Sequence, residues 1–103
     1  MEERKAINVT VVPDENSEVT RVYSNFCTIQ HSPFDFTLTF CEMHPLGENE
    51  IQAGQTSQMV KVKAPVRARI VVPIPLIPGL IAALQENFRN HQDSFGPPKG
   101  GLH

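Results

Sequence analysis

The stretch VKVKAPVRARIVV, residues 60–72, gives the clearest indication of the fold because its side chains alternate between apolar and mostly cationic residues. Successive side chains of an extended strand point to opposite faces, so such alternation is typical of a half-buried β-strand. We therefore predict a strand over residues 60–72, in which Pro65 marks an edge position or a kink. Its polar face would carry a row of four cations, namely Lys61, Lys63, Arg67 and Arg69.

The next segment changes from a strand spacing to a helical one. Pro75 and Pro78 are tolerated only in the first turn of a helix, so we expect the helix to begin near Pro75 and to run to about residue 92. Residues 93–103 contain Gly-Pro-Pro and Gly-Gly and predict a flexible tail. The apolar side of the helix is wide enough to pack on a sheet and also to touch a second subunit, and it comprises Leu76, Ile77, Leu80, Ile81, Leu84 and Phe88.

Three further strands are predicted before residue 60. Residues 6–12 alternate and stop at Pro13, after a flexible N-terminus of residues 1–5. Residues 19–31 and 36–43 flank the sequence Ser-Pro-Phe-Asp at 32–35, which suits a β-hairpin. From 44 to 58 the polar composition predicts a long mobile loop. The expected architecture is α+β: a mainly antiparallel four-stranded sheet with one C-terminal helix packed on it, in a single domain of residues 6–92.

A four-residue hairpin loop fixes the register, because positions whose numbers sum to 67 then face each other. One face becomes a credible core and collects Tyr23, Cys27, Ile29, Phe36, Leu38 and Phe40. The opposite face is unusually apolar for a surface that meets water, which predicts that a helix or another subunit covers it. This second face collects Val22, Phe26, Thr28, Thr37, Thr39, Cys41 and Met43.

Size and composition limit the class of protein. A chain of 103 residues with 40% hydrophobic and 19% charged residues is a small folded domain rather than a disordered segment. One sheet with one helix buries a modest fraction of its surface, so we expect a homo-oligomer, and a homodimer is the preferred form. The net charge of −2 argues against a dedicated nucleic-acid binder. No signal-peptide core or uninterrupted membrane span is evident, so we expect a cytoplasmic protein without a membrane partner.

The residues that could carry chemistry form no recognisable catalytic or metal site. Cys27 with His31 and Cys41 with His44 resemble zinc half-sites, but the predicted register places the two cysteines on opposite faces, so they cannot share one ion. His31 and Asp35 flank the hairpin loop, where we expect a turn-capping Asp and a surface His. There is no Gly-rich phosphate loop or nucleophile motif. We therefore expect no enzymatic activity, no cofactor and no metal.

Two groups of motifs resemble a bacterial family of short proteins, domain of unknown function 3467. The first is Tyr23-Ser24-Asn25-Phe26 followed by Ser32-Pro33-Phe34-Asp35-Phe36. The second is Ala68-Arg69-Ile70-Val71, which leads to a helix ending near Phe95-Gly96. The resemblance covers about residues 19 to 96. The order of strands and helix is also similar, in topology only, to the export chaperone SecB, whose relatives form dimers of dimers and hold unfolded clients in apolar grooves.

The family resemblance implies structural roles for its motif residues. Asn25 and Ser32 would form turn or ladder hydrogen bonds, and Arg69 would pair with Glu86 or with an acid on the second hairpin strand. The usual family pattern has an acidic residue just before the last Phe of that strand, where this chain has Thr39. A charge pair at that position is therefore not expected here.

Two functions from different classes follow. The first is a non-enzymatic protein-binding module, acting as an adaptor, accessory subunit or small chaperone-like protein, with a contact surface of Val22, Phe26, Cys41 and Met43 rimmed by residues 45–58. The alternative is a nucleic-acid-binding regulator that uses the cationic row, which would also suit an acidic protein partner. A purely structural assembly component is a third interpretation. The cationic residues concerned are Lys61, Lys63, Arg67 and Arg69.

Overall fold

The computed structural model describes residues 6–15, 18–57 and 59–97. Its strands are β1 (Phe26–His31), β2 (Asp35–Cys41) and β3 (Val66–Pro73), and its helices are α1 (Glu48–Ser57) and α2 (Ile77–Phe95), with a 3₁₀ turn at Ile74–Leu76. The strands form one antiparallel sheet in the order β1-β2-β3. The α+β class and the antiparallel sheet are confirmed. Within the described ranges residues 6–12 form no strand, so the sheet has three strands instead of four.

The hairpin has the predicted register. Cys27 lies opposite Phe40 and Ile29 opposite Leu38, so the paired residue numbers sum to 67 as expected. The Ser32 hydroxyl accepts hydrogen bonds from the backbone N–H groups of Phe34 (3.1 Å) and Asp35 (3.2 Å), and it donates one to Asp35 Oδ1 at 2.9 Å. A side chain that satisfies the turn in this way fixes the loop length and therefore the register.

β1 begins at Phe26, seven residues later than the predicted start at residue 19. The Asn25 side chain donates from Nδ2 to the Met43 carbonyl oxygen (2.8 Å) and accepts from the Met43 N–H through Oδ1 (2.6 Å). These two bonds confirm the ladder role implied for Asn25. The Asn25 N–H still donates to the Cys41 carbonyl oxygen at 3.1 Å, but the bonds to Met43 are made by the Asn25 side chain, so the regular ladder ends there. Val19 and Tyr23, which precede Asn25, are 81% and 67% exposed.

β3 also starts later than predicted, at Val66 instead of Val60. Phe40 pairs with Ala68 and Cys41 pairs with Val66, so Arg67 is the extra residue of a β-bulge. Neighbouring residues of β2 point to opposite faces, which places Val66 and Ala68 on opposite faces as well. The bulge therefore ends the strict alternation. Lys61 and Lys63 precede the strand, and the predicted row of four cations on one strand face is not formed.

The segment predicted as a long mobile loop contains the helix α1. The Gly47 N–H donates to Glu50 Oε2 at 2.6 Å, which is one half of a capping box. Glu48 and Glu50 also place negative charge in the first turn, where the helix dipole favours it. The loop prediction was wrong because it relied on polar composition and overlooked this local start signal.

α2 follows the 3₁₀ turn that contains Pro75, and it has Pro78 in its first turn, as expected. It continues to Phe95, so the predicted tail does not begin at residue 93. Gly96, with φ of 80°, ends the helix, and its N–H donates to the Gln92 carbonyl at 2.7 Å. The predicted flexible segments 1–5 and 98–103 lie outside the described residues.

Candidate functional site

Little of the apolar surface of the described residues is covered. The buried hydrophobic side chains are Cys41 and Val72, each 6% exposed. On the predicted core face, by contrast, Ile29 is 60% exposed, and Leu84 on the helix is 63% exposed. Large contiguous apolar surfaces on a small protein mark interaction sites. The apolar clefts are therefore the candidate sites.

The larger apolar surface is a cleft between α2 and the sheet, here called the helix cleft. It has a volume of about 490 Å³ and brings together the predicted core face of the hairpin and the predicted apolar side of the helix. Since several of its side chains remain half-exposed, α2 does not close it. The lining residues are Cys27, Ile29, Leu38, Phe40, Ile70, Val72, Leu76, Leu80 and Leu84.

A second cleft, the Met43 cleft, lies beyond the end of β2. It has a volume of about 460 Å³ and is lined by Met43, His44, Pro45, Leu46, Val60 and Val62. α1 approaches one wall so closely that a Cβ at Gly54 would lie 2.9 Å from Val60 Cγ2. The sequence interpretation assigned Val60 and Val62 to a strand and missed this cleft. Two large apolar residues in an otherwise polar stretch, Leu46 and Ile51, were the available signal.

The four residues predicted to bind a protein are only partly exposed. Phe26 and Val22 are 46% and 49% exposed, Met43 is partly buried, and Cys41 is 6% exposed. Phe26 lies directly opposite Cys41, and the Asn25 side chain holds Met43 at the same end of the hairpin. The structure thus brings Phe26, Cys41 and Met43 together, with Cys41 covered within the chain. Val22 lies before β1.

The cations predicted as an alternative site are exposed but are not arranged in one row. Arg69 lies opposite Thr39, on the sheet face away from Ile70 and therefore away from α2. The expected Arg69–Glu86 ion pair is for that reason not formed in the described part of the chain. Glu42 Oε2 and His44 Nε2 lie 4.0 Å apart and form an ion pair when the imidazole is protonated.

The cysteine and histidine residues are placed much as the sequence predicted. Cys27 and Cys41 belong to neighbouring positions of the register and so point to opposite faces. Within the described ranges, no three His, Cys, Asp or Glu side chains converge on a common point. The His31 ring lies against Phe36, with 5.8 Å between centroids, and the Asp35 carboxylate accepts from Ser32. These contacts confirm the surface-His and turn-Asp interpretation.

Comparison with known proteins and protein families gives one match, to a family. No helix in the described ranges is both long and apolar enough to cross a bilayer. No curated protein and no solved structure matches the chain significantly. A family profile with the description "Protein of unknown function (DUF3467)" matches residues 1–99. That match spans nearly the whole chain and agrees with the resemblance seen in the motifs, so the chain belongs to the DUF3467 family.

Proposed function

We propose that the protein is a non-enzymatic protein-binding module that acts as a homo-oligomer in the cytoplasm, as an adaptor, accessory subunit or small chaperone-like protein. The uncovered apolar surface is the observation that supports this proposal. Side chains that would form the core of a closed domain stay exposed, with Ile29 60%, Ile70 50% and Leu84 63% exposed. All three line the helix cleft. Contiguous apolar surface of this kind marks a protein interaction site.

The Met43 cleft and the adjacent Phe26 form the proposed partner site. Its walls are apolar, and methionine adapts to irregular partner shapes. Lys61 and Lys63 alternate with the wall residues Val60 and Val62 and are exposed. An extended apolar protein segment flanked by acidic residues would complement this combination of an apolar cleft and a cationic rim.

The test compares three single substitutions by affinity recovery of partners from the native lysate, followed by titration of each recovered partner. Phe26→Asp and Met43→Asp place a charge in the proposed site, and we expect each to weaken partner binding at least about tenfold because an unpaired charge would be desolvated. Phe34→Asp is the control, since Phe34 is 80% exposed in the hairpin turn, at the other end of the sheet. Equal binding by all three variants would show that the site is wrong.

Nucleic-acid binding is the competing proposal, and it is favoured by the exposure of Lys61, Lys63, Arg67 and Arg69. It predicts that recovery is nuclease-sensitive and falls steeply between low and moderate salt, because each neutralised phosphate releases counterions. The double variant Lys63→Glu with Arg67→Glu would then abolish recovery, whereas Met43→Asp would leave it unchanged.

A further inference from the structure

The two edges of the sheet differ in their protection against further pairing. The β3 edge carries Arg67, Arg69, Pro73 and a bulge, which are features that discourage the addition of another strand. The β1 edge has the sequence FCTIQH, without a Lys, Arg, Asp, Glu or Pro residue. It is thus an edge strand without an acidic, Lys or Arg side chain, and its six residues are all exposed. Such an edge pairs readily with an extended segment.

Residues 6–12 have the complementary property. They read AINVTVV, are rich in β-branched residues, contain no charge and alternate with a strand period. Ile7, Val9 and Val11 are nevertheless 83%, 76% and 89% exposed. Among the described residues, this segment therefore has the sequence of a strand but no partner strand, while β1 has an unpaired outer edge of nearly the same length.

We propose that residues 6–12 form the fourth strand of the sheet by pairing with the β1 edge of a second copy of this chain, reciprocally in a two-fold dimer. Ile7, Val9 and Val11 then lie beside Cys27 and Ile29 and extend the apolar wall of the helix cleft. Through this reciprocal exchange each chain receives a fourth strand from its partner, and the exposed side chains of Ile7, Val9 and Val11 become buried. This inference rests on the homo-oligomer part of the proposed function and specifies its interface.

Disulfide trapping between two differently tagged forms of the full chain tests the pairing. One form keeps Cys27 and carries Cys41→Ala. The other carries Cys27→Ser, Cys41→Ala and one new cysteine, scanned through positions 7 to 12. Since a disulfide requires Cα atoms about 4.4–6.8 Å apart, only side chains adjacent to Cys27 on its own face can be trapped.

We expect mixed-tag disulfides for Ile7→Cys, Val9→Cys or Val11→Cys, at least about tenfold above the yield for Asn8→Cys and Thr10→Cys. Equal yields across the scan would overturn the inference. The companion measurement places Cys27 and the new cysteine in the same chain. A disulfide that forms only in that case would also overturn the inference, because residues 6–12 would then pair with β1 of their own chain.

Charge substitutions give an independent readout of the dimer. Val9→Asp should weaken self-association at least about 100-fold by light scattering, whereas Asn8→Asp, with the same charge on the other face, should not. Unchanged dimerisation of Val9→Asp would overturn the inference. Failure of this inference is distinguishable from failure of the proposed partner site. If the chains dimerise without strand exchange, Val9→Asp leaves the dimer unchanged, while Met43→Asp still weakens partner binding.

Discussion

The hairpin and residues 6–12 have the same kind of alternation but different structures. In the hairpin, the Ser32 turn and the Asn25 side chain bring two strands together, and the paired residues follow the expected register. Residues 6–12 have no such local device, and Val9 stays 76% exposed. Alternation of apolar and polar residues therefore predicts which side chains would share a face. A strand also requires a neighbouring backbone to satisfy its N–H and C=O groups.

The largest effect on the stability of the hairpin is expected from Asn25→Ala. It removes the two hydrogen bonds to the Met43 backbone and leaves partly buried groups unsatisfied. At about 1 kcal/mol for each bond, we expect the free energy of unfolding to fall by about 2 kcal/mol. Denaturant unfolding measures the change.

Asn8→Ala is the matched control, because it removes the same side chain from the exposed N-terminal segment. We expect a change within about 0.5 kcal/mol there. If the two alanine variants lose the same stability, the side-chain ladder at Asn25 does not hold the hairpin.

A smaller effect is expected from Ser32→Ala at the other end of the hairpin. The variant loses the acceptor for the Phe34 and Asp35 N–H groups, and we expect a loss of about 1 kcal/mol together with faster amide exchange in the turn. Ser32→Thr keeps the hydroxyl and should retain most of the stability. A Thr variant as unstable as the Ala variant would contradict the role of the hydroxyl.

The smallest expected effect tests the register between β2 and β3. Thr39 lies directly opposite Arg69, so Thr39→Glu places an acid beside this cation. A favourable cross-strand charge pair should raise the stability by about 0.5 kcal/mol in low salt. Thr37→Glu, which would face Val71, is the control. A gain that is equal in both variants, or that persists in high salt, would argue against the pair.

The accuracy of the sequence predictions followed the range of the interactions that decide each element. The hairpin register, the opposite faces of Cys27 and Cys41, and the start of α2 near Pro75 depend on neighbours in the chain, and they were predicted. The capping of α1 by Glu50 is also local but was missed behind a polar composition. The bulge at Arg67 and the Met43 cleft arise from contacts between distant segments, which the alternation of residues 60–72 does not reveal.

The pattern of residues along the chain sets which side chains share a face in the hairpin and in α2, because backbone geometry imposes periods of 2 and 3.6 residues wherever a strand or helix forms. The tertiary structure decided where the strands begin and end. Asn25 closes the β1–β2 ladder, and the bulge turns Val66 away from the face of Ala68. Residues 6–12 have no partner strand in the part of the chain that the structure describes. Strand pairing is non-local, so its limits depend on which backbone is within hydrogen-bonding reach.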